Sequence, residues 1–148
     1  MTQTKVEAPF VENNSPFRNL IINGDMQIAQ RATSTSSVNA TGYYACDRWS
    51  YKTNGSGLVV TMSQDTDVPT GQGFANSLKM DVTTADASPG SSDAMFLQQR
   101  FEGQDLQLLK HGTASAEKTT LSFWIKATKT GTNIVKMYKP DADRSCSI

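Results

Sequence analysis

Hydrophobic and polar positions alternate with a period of two in one run after another along this chain. The segment TTLSFWIKAT places Leu121, Phe123 and Ile125 on one side and Ser122, Trp124 and Lys126 on the other. This period is typical of a β-strand with one buried face. Turn-forming residues separate each run from the next. The pattern predicts about seven strands, in RNLIINGDMQIAQ, GYYACDRWSYK, GLVVTMSQ, SLKMDVTT, AMFLQQRFEG, TTLSFWIKAT and TNIVKMYK.

Three turn-forming residues, Asn23, Gly24 and Asp25, interrupt the first of these runs. We expect a bulge or tight bend here, with Gly24 in the positive-φ conformation that other residues resist. Such a corner would let one strand serve two pairings or two sheets.

Helical spacing occurs in the segment EGQDLQLLKHG, with Leu106 and Leu109 on one side and Gly112 as a stop. We expect one or two helical turns. Short strands, few helices and many Ser, Thr and Gly linkers predict an all-β fold, a jelly-roll β-sandwich with one short helix. A closed barrel is the second choice.

Residues 1–17 are predicted to form an extended N-terminal arm, and residues 18–148 the sandwich. The arm is polar apart from a short apolar patch, and such a segment buries too little surface to fold alone. A disordered tail is one interpretation. The other is an anchor that docks on a partner through Pro9, Phe10, Val11 and Phe17.

The final segment ADRSCSI has the alternation of a strand that is just beginning. An eight-stranded jelly roll would still lack at least one strand, which leaves an open edge. We expect the natural product to continue with further C-terminal strands. Completion of the sheet by another chain is the alternative.

The composition is that of an ordinary soluble globular protein: 37% of the 148 residues are hydrophobic, 19% are charged, and the formal net charge is zero. With no cluster of Lys and Arg, we expect no nucleic-acid partner. No run approaches the ~20 apolar residues that span a bilayer, and the N-terminus lacks a secretory signal. We therefore expect synthesis in a cytoplasm without membrane insertion.

Groups that could support catalysis or bind a metal are few. Cys46, Cys146 and the single histidine, His111, cannot form a zinc site of the usual spacing, and we expect two buried free cysteines rather than a disulfide. His111 is predicted to lie exposed at the end of the helical turn. No nucleophile elbow, phosphate loop or His-Glu-x-x-His motif is present. We predict no enzymatic activity.

Two pairs of acidic residues lie in segments typical of turns, Asp65 with Asp67 and Asp141 with Asp143. Solvated turn carboxylates are the first interpretation. A structural Ca²⁺ ion, with Asp141 and Asp143 as ligands, is the second, and catalysis by a carboxylate pair is the third. No other cofactor is expected.

Aromatic residues indicate a sugar-binding surface. Trp124 is expected to project from the face opposite its apolar neighbours. An outward aromatic ring can stack on the apolar C–H face of a sugar, whose hydroxyl groups need polar partners. We predict a glycan site of Trp124 and Phe96 with Gln98 and Arg100 as those partners. The alternative is that Trp124 packs under a loop or against a neighbouring subunit.

The segment DRWSY supplies two further aromatic residues, Trp49 and Tyr51, which share one face of a predicted strand. We expect both in the core. Arg48 and Asp47, at the end of that strand, are predicted to form an ion pair.

The sequence resembles a group of bacteriophage virion proteins, which are tail-fibre or other surface proteins frequent in marine podovirus-like phages. These proteins carry a jelly-roll domain similar to the carbohydrate-binding modules of glycoside hydrolases. The resemblance covers about residues 18–148 and is most specific from Gln98 to Gly131. It lies in NLIINGDMQIAQRATS, GYYACDRW, LQQRFEGQDLQLLKHGTASAEKTTLSFWIKATKTGT and MYKPDADRSCSI.

The resemblance implies a non-enzymatic virion subunit, oligomeric with a trimer favoured, and held on the particle by its N-terminal part. Its expected partners are other virion proteins of the tail or capsid, and host surface glycans. Similar proteins continue past the position of Ile148, which agrees with the expected missing strands. The matching motifs carry over no ligand residues, because they are scaffold. The alternatives are a carbohydrate-binding module of a glycan-active enzyme and, less favoured, an enzyme such as a depolymerase.

Overall fold

The computed structural model describes residues 19–55, 57–140 and 144–147. Two sets of predicted functional residues lie outside these ranges, the anchoring residues Pro9, Phe10, Val11 and Phe17 and the calcium ligands Asp141 and Asp143. The described residues contain no helix long and apolar enough to cross a membrane.

The described residues form antiparallel strands and one short helix, so the predicted all-β class is confirmed. Five of the seven predicted runs contain a strand: GYYACDRWSYK in its last three residues, GLVVTMSQ, SLKMDVTT, AMFLQQRFEG and TNIVKMYK. The elements are β1 (Ser34–Val38), β2 (Ser50–Asn54), β3 (Val59–Asp65), β4 (Ser77–Thr84), β5 (Ala94–Gln98), a 3-10 helix (Gly103–Leu109), β6 (Lys136–Lys139) and β7 (Arg144–Ser147).

The chain divides into two compact units, unit 1 (Met1–Lys118) and unit 2 (Thr119–Ile148). In unit 1, one sheet has the strand order β1-β3-β4, and a second sheet pairs β2 with β5. In unit 2, β6 pairs with β7. The predicted bounds of the arm and the sandwich, 1–17 and 18–148, stay predictions.

The core of unit 1 takes side chains from both of its sheets. Val60 and Met62 of β3 and Tyr51 of β2 are completely buried, which confirms the core position predicted for Tyr51. Leu78 and Met80 of β4 pack against this cluster. The two sheets therefore share one core, because each contributes the apolar face of its strands.

Strand β1 was not predicted from the sequence. Its residues, STSSV, include one buried apolar side chain, Val38, so no alternation indicates a strand. The strand forms by antiparallel pairing with β3, and the register shifts between Thr35 and Val38. Ser37 has a φ of 58° at this irregularity, as expected where a bulge inserts an extra residue.

The opening run does not form the predicted strand: the chain turns at residues 22–25, and no strand is assigned from 19 to 33. The positive φ belongs to Asn23 (54°) and Met26 (58°) and not to Gly24, which corrects the prediction. Asparagine adopts this conformation more readily than most residues because its side chain bonds locally. Gly24 serves close packing instead, since a Cβ atom there would lie 3.0 Å from Cγ2 of Ile21.

The predicted helical segment forms a 3-10 helix, and the residue that ends it differs from the prediction. Lys110 takes the left-handed conformation, with φ 48°, directly after Leu109. Its N–H donates to the carbonyl of Gln107 at 3.1 Å. The stop therefore comes two residues before Gly112, which also has a positive φ of 88°.

Unit 2 confirms two strand predictions, in TNIVKMYK and ADRSCSI, and contradicts a third. Arg144–Ser147 is a strand, as the alternation of ADRSCSI predicted, and it pairs with Lys136–Lys139. The segment TTLSFWIKAT forms no strand, and all its side chains are exposed. A half-buried strand needs a neighbouring strand and a covering layer, and the described residues of unit 2 supply neither to this segment.

Candidate functional site

The side chain of Asn23 joins two other segments of unit 1. Its Nδ2 donates to the carbonyls of Ile28 and Asp47, both at 2.9 Å, and its Oδ1 accepts from the N–H of Ile28 at 3.0 Å. The carbonyl of Asn23 accepts from Nε1 of Trp49 at 3.0 Å. The interruption of the first apolar run is therefore a clamp, in which one amide satisfies backbone groups that have no strand partner.

Glutamine side chains hold the rest of the opening run. Nε2 of Gln64 donates to the carbonyls of Met26 and Gln27 at 2.6 and 3.0 Å. The amide of Gln99 both accepts from the N–H of Ile22 and donates to its carbonyl, at 2.9 and 2.7 Å. Side-chain amides thus take the place of a strand ladder.

The segment DRW lies in a turn and not in the predicted strand. The N–H of Trp49 donates to the carbonyl of Cys46 at 3.4 Å, which closes a four-residue turn. Arg48 occupies its third position with φ 71°, where glycine or asparagine is usually found. The N–H of Asp47 donates to the carbonyl of Ile28 at 2.8 Å, so the clamp and the turn hold each other.

A polar depression of about 260 Å³ opens beside this turn, lined by Gln30, Arg31, Tyr43, Asp47 and Arg48. Nη1 of Arg31 lies 3.5 Å from Oδ1 of Asp47. The guanidinium of Arg31 also lies over the ring of Tyr43, 5.5 Å from its centroid, within the range of a cation–π interaction. The partner of Asp47 is therefore Arg31, and the predicted ion pair with Arg48 is wrong.

Two groups in the depression keep hydrogen-bonding capacity towards solvent. The guanidinium of Arg48, an exposed residue, has no hydrogen bond or ion pair with any described residue. The side chain of Asp47 is 15% exposed and has the single contact to Arg31 among the described residues. The depression thus combines the cation of Arg48, unpaired among the described residues, with the carboxylate of Asp47 and the ring of Tyr43, a residue that is 46% exposed. Groups of these three kinds bind polar ligands that have an apolar face.

The predicted glycan residues are divided between the units. Phe96 and Gln98 lie on β5 of unit 1, opposite Lys52 and Ser50 of β2, and Arg100 follows the strand as an exposed residue. Phe96 is 43% exposed. Trp124 is 65% exposed and lies in unit 2. The proposed glycan role of these residues stays a prediction.

The carboxylates of Asp65 and Asp86 accept hydrogen bonds from backbone N–H groups, and for Asp65 this agrees with the first interpretation, a turn carboxylate. Oδ1 of Asp65 accepts from the N–H of Asp67 at 3.0 Å, and its Oδ2 lies 3.2 Å from Nζ of Lys79. These two contacts, the hydrogen bond first, lower the pKa of Asp65. The N–H groups of Gly57 and Ser88 likewise lower the pKa of Asp86.

A second depression, of about 290 Å³, is mostly apolar. Its acidic groups already serve loops: Asp86 as above, and Asp93 by accepting from the N–H of Gly90 at 2.8 Å. Its lining residues are Leu58, Ala85, Asp86, Pro89, Asp93, Ala94 and Met95.

The remaining candidate groups lie apart from the polar depression or are buried. His111 is exposed, as predicted. Both cysteines are free, but only Cys46 is buried; Cys146 is exposed, which corrects its prediction. Burial, and then the neighbouring Asp47 carboxylate, raises the pKa of the Cys46 thiol. Within the described ranges, no three His, Cys, Asp or Glu side chains are grouped so that they could hold a metal ion, and the predicted Ca²⁺ site stays a prediction.

Three residues of the polar depression, Gln30, Arg31 and Tyr43, were missed by the sequence analysis. They come from two loops, and no local spacing joins them. The charged and aromatic residues close together in GYYACDRW could have indicated a site, but they were interpreted as parts of a strand. Comparisons with protein-family models, with curated proteins and with solved structures find no match to this chain.

Proposed function

We propose that this chain is a bacteriophage virion structural protein, a tail-fibre or surface-decoration subunit. In this proposal the arm of residues 1–17 anchors it to other virion proteins, copies associate as a homo-oligomer, with a trimer favoured, and the outer surface adheres to host glycans. The surface of unit 2 carries the proposal.

Unit 2 exposes an extensive set of apolar side chains. Between residues 119 and 140 every residue is exposed except Val135, which is half-buried. Exposed apolar surface on this scale marks a protein interface. The large apolar side chains are Leu121, Phe123, Trp124, Ile125, Ile134, Met137 and Tyr138.

Charge is divided between the two units, although the whole chain is neutral. Residues 1–118 contain nine basic and twelve acidic residues, whereas residues 119–148 contain five basic and two acidic residues. Unit 2 of one copy is thus complementary to unit 1 of another copy. Such complementarity steers association and sets its orientation.

The contact of unit 2 with unit 1 of the next copy is heterologous, and heterologous contacts close into rings when the rotation permits. The proposed trimer is a ring of this kind. Repeated weak glycan contacts on such an oligomer would add through avidity.

The proposed jelly roll rests on how the strands of unit 1 are distributed. The chain passes between the two sheets from β1 to β2, from β2 to β3 and from β4 to β5, whereas β3 and β4 are neighbours in one sheet. Repeated crossing between two antiparallel sheets around one core is typical of jelly rolls and related sandwiches.

Sedimentation velocity of the full chain tests the assembly. We expect a discrete oligomer that dissociates as salt is raised, and a monomer for the double variant Phe123→Ser with Ile125→Ser. Phe74→Ser is the matched control, since Phe74 is an exposed phenylalanine of unit 1. A monomeric wild-type chain, or equal effects of both variants, would contradict the proposal.

Particle composition tests the virion role separately. The chain should be present in purified phage particles by mass spectrometry, and deletion of residues 1–17 should remove it while the oligomer persists. Particles that keep the shortened chain would exclude the anchoring arm.

The second candidate function, a carbohydrate-binding module of a glycan-active enzyme, is favoured by the polar depression around Tyr43. Such a module works as a monomer beside a catalytic domain. A monomer that binds glycans, and that is missing from particles, would favour it over the virion subunit.

A further inference from the structure

We infer that the polar depression around Arg48 binds a sugar residue that carries a single carboxylate, such as a uronic acid within a polysaccharide. This inference deepens the adhesive part of the proposed function and rests on it. It also moves the expected sugar contact from the Trp124 and Phe96 surfaces to the loops of unit 1.

The backbone at Arg48 is the first step of the argument. A φ of 71° disfavours arginine, and non-glycine residues in this conformation cluster at functional sites. The guanidinium faces solvent beside the depression and has no partner among the described residues. Its planar pair of N–H donors matches a carboxylate, and the pairing is strong because both groups are charged.

The other groups fit the rest of a sugar ring. Tyr43, 46% exposed, offers an apolar surface for ring C–H groups. Asp47 and Gln30 provide acceptors for hydroxyl groups, which carboxylates and amides bind well. The depression, about 260 Å³, is slightly smaller than the roughly 300–1,000 Å³ of sites for drug-sized ligands, which suits a single ring.

The balance of charge selects a monoanionic ligand. Arg31 and Arg48 line the depression with one carboxylate, Asp47, so its excess is a single positive charge. Asp47 would repel the closely spaced anions of a nucleic acid or an acidic peptide. A carboxylated sugar instead supplies one anion for Arg48 and hydroxyl donors for Asp47.

The depression is also held in place before any ligand binds. Asn23 donates to the carbonyl of Asp47 at 2.9 Å, and the N–H of Asp47 donates to Ile28. Arg31 lies over Tyr43 and contacts Asp47. A site whose side chains are already oriented loses less conformational entropy on binding.

Isothermal titration calorimetry of the full chain tests the inference. The probes are the methyl glycosides of galacturonate, glucuronate, mannuronate and guluronate, which carry one carboxylate each, with the neutral parent sugar and a singly sulfated form of that parent. We expect at least one uronate to bind, with weaker binding as salt rises, and no measurable binding of the matching neutral or sulfated sugar.

Variants at Arg48 locate the site. Arg48→Asn should weaken binding about tenfold to a hundredfold, since a hydrogen-bonded charge pair is lost. The affinity of Arg48→Lys should lie between those of the wild-type chain and Arg48→Asn. Asparagine suits a positive φ, so the variant should fold with an unchanged or raised Tm. Lys118→Gln removes a charge from an exposed position outside the depression and should leave binding unchanged.

The outcomes that overturn the inference are specific. They are failure of every uronate to bind, equal binding of the neutral or sulfated sugar, and an Arg48→Asn affinity equal to that of the wild-type chain. If the chain still forms the oligomer and enters particles, such a result removes this site and leaves the virion function intact. Uronate binding by a monomer that is missing from particles would support this site and contradict the virion function.

Discussion

Unit 1 and unit 2 both contain segments in which hydrophobic and polar residues alternate, but the hydrophobic side chains are buried in unit 1 and exposed in unit 2. In unit 1 the apolar faces of two sheets meet, and Tyr51, Val60 and Met62 are completely buried. In unit 2, Phe123 and Ile125 remain 57% and 62% exposed. Alternation therefore indicates a face that needs cover, but it does not determine whether the cover comes from the same chain.

The largest expected effect that tests this comparison comes from shortening one apolar side chain in each unit. Met62→Ala should lower the free energy of unfolding by about 2–5 kcal/mol, because it leaves a cavity in the core. Ile125→Ala, at an exposed position, should change it by less than about 0.5 kcal/mol. Equal losses would mean that Ile125 is covered within its own chain.

Urea unfolding in a Trp124→Phe background provides the measurement. Trp49 is then the one tryptophan left in the chain, so its fluorescence reports on unit 1. The protein should be dilute enough to be monomeric, so that contacts between copies do not contribute.

The second prediction concerns the clamp, which holds the opening run of unit 1 without a strand ladder. Asn23→Ala removes three side-chain hydrogen bonds and should cost about 2–3 kcal/mol, at roughly 1 kcal/mol each. Asn39→Ala, at an exposed position, should cost little. Faster hydrogen exchange at the N–H groups of Ile28 and Asp47 should accompany the loss. Slow exchange there in Asn23→Ala would mean that the backbone holds the corner unaided.

The third prediction separates the two tyrosines that pack in or against the core. The hydroxyl of Tyr51 is buried without a hydrogen-bond partner among the described residues, whereas that of Tyr44 donates to the carbonyl of Ala40 at 2.9 Å. Tyr51→Phe should therefore raise stability by up to about 1 kcal/mol, and Tyr44→Phe should lower it by a similar amount. Destabilisation by Tyr51→Phe would show that its hydroxyl is bonded.

The smallest expected effect is a pH dependence of unit 1 through Asp65 and Asp86. Hydrogen bonds lower both folded-state pKa values below the ordinary 3.8. Their contribution to stability is therefore complete above about pH 4 and decreases as the pH falls through 3.8 towards the lowered values.

The double variant Asp65→Asn with Asp86→Asn should be less stable at neutral pH and should lose less stability between pH 5 and pH 3, an interval of roughly two units around the ordinary carboxyl value. Asp81→Asn, at an exposed position of β4, is the control. Parallel pH profiles for the wild-type chain and the double variant would contradict the assignment.

Local pattern was sufficient where a strand buries its own apolar residues. The segment SLKMDVTT predicted β4 with the observed bounds, Ser77–Thr84, and the alternation of Val60 and Met62 predicted the buried face of β3. Strand β1 was missed because it forms through backbone pairing with β3 and has one buried apolar side chain. TTLSFWIKAT was assigned a strand that the described chain does not pair.

The site was harder to predict than the strands, because its residues meet through long-range hydrogen bonds. Asp47 and Arg48 were predicted to form an ion pair because they are adjacent in sequence. The clamp at Asn23 and the turn instead bring Arg31 to Asp47 and leave Arg48 facing solvent. Neighbouring residues in a turn point in different directions, so adjacency does not predict contact.

The sequence by itself determined the all-β class, the buried face of the central strands and the presence of a corner at Asn23-Gly24-Asp25, because these depend on local period and on residue conformational preference. Tertiary structure alone decided which residue of the corner takes the positive φ, which cation pairs with Asp47, and which apolar faces are covered. These outcomes depend on hydrogen bonds and packing between residues that are distant in sequence, and local pattern carries no record of them.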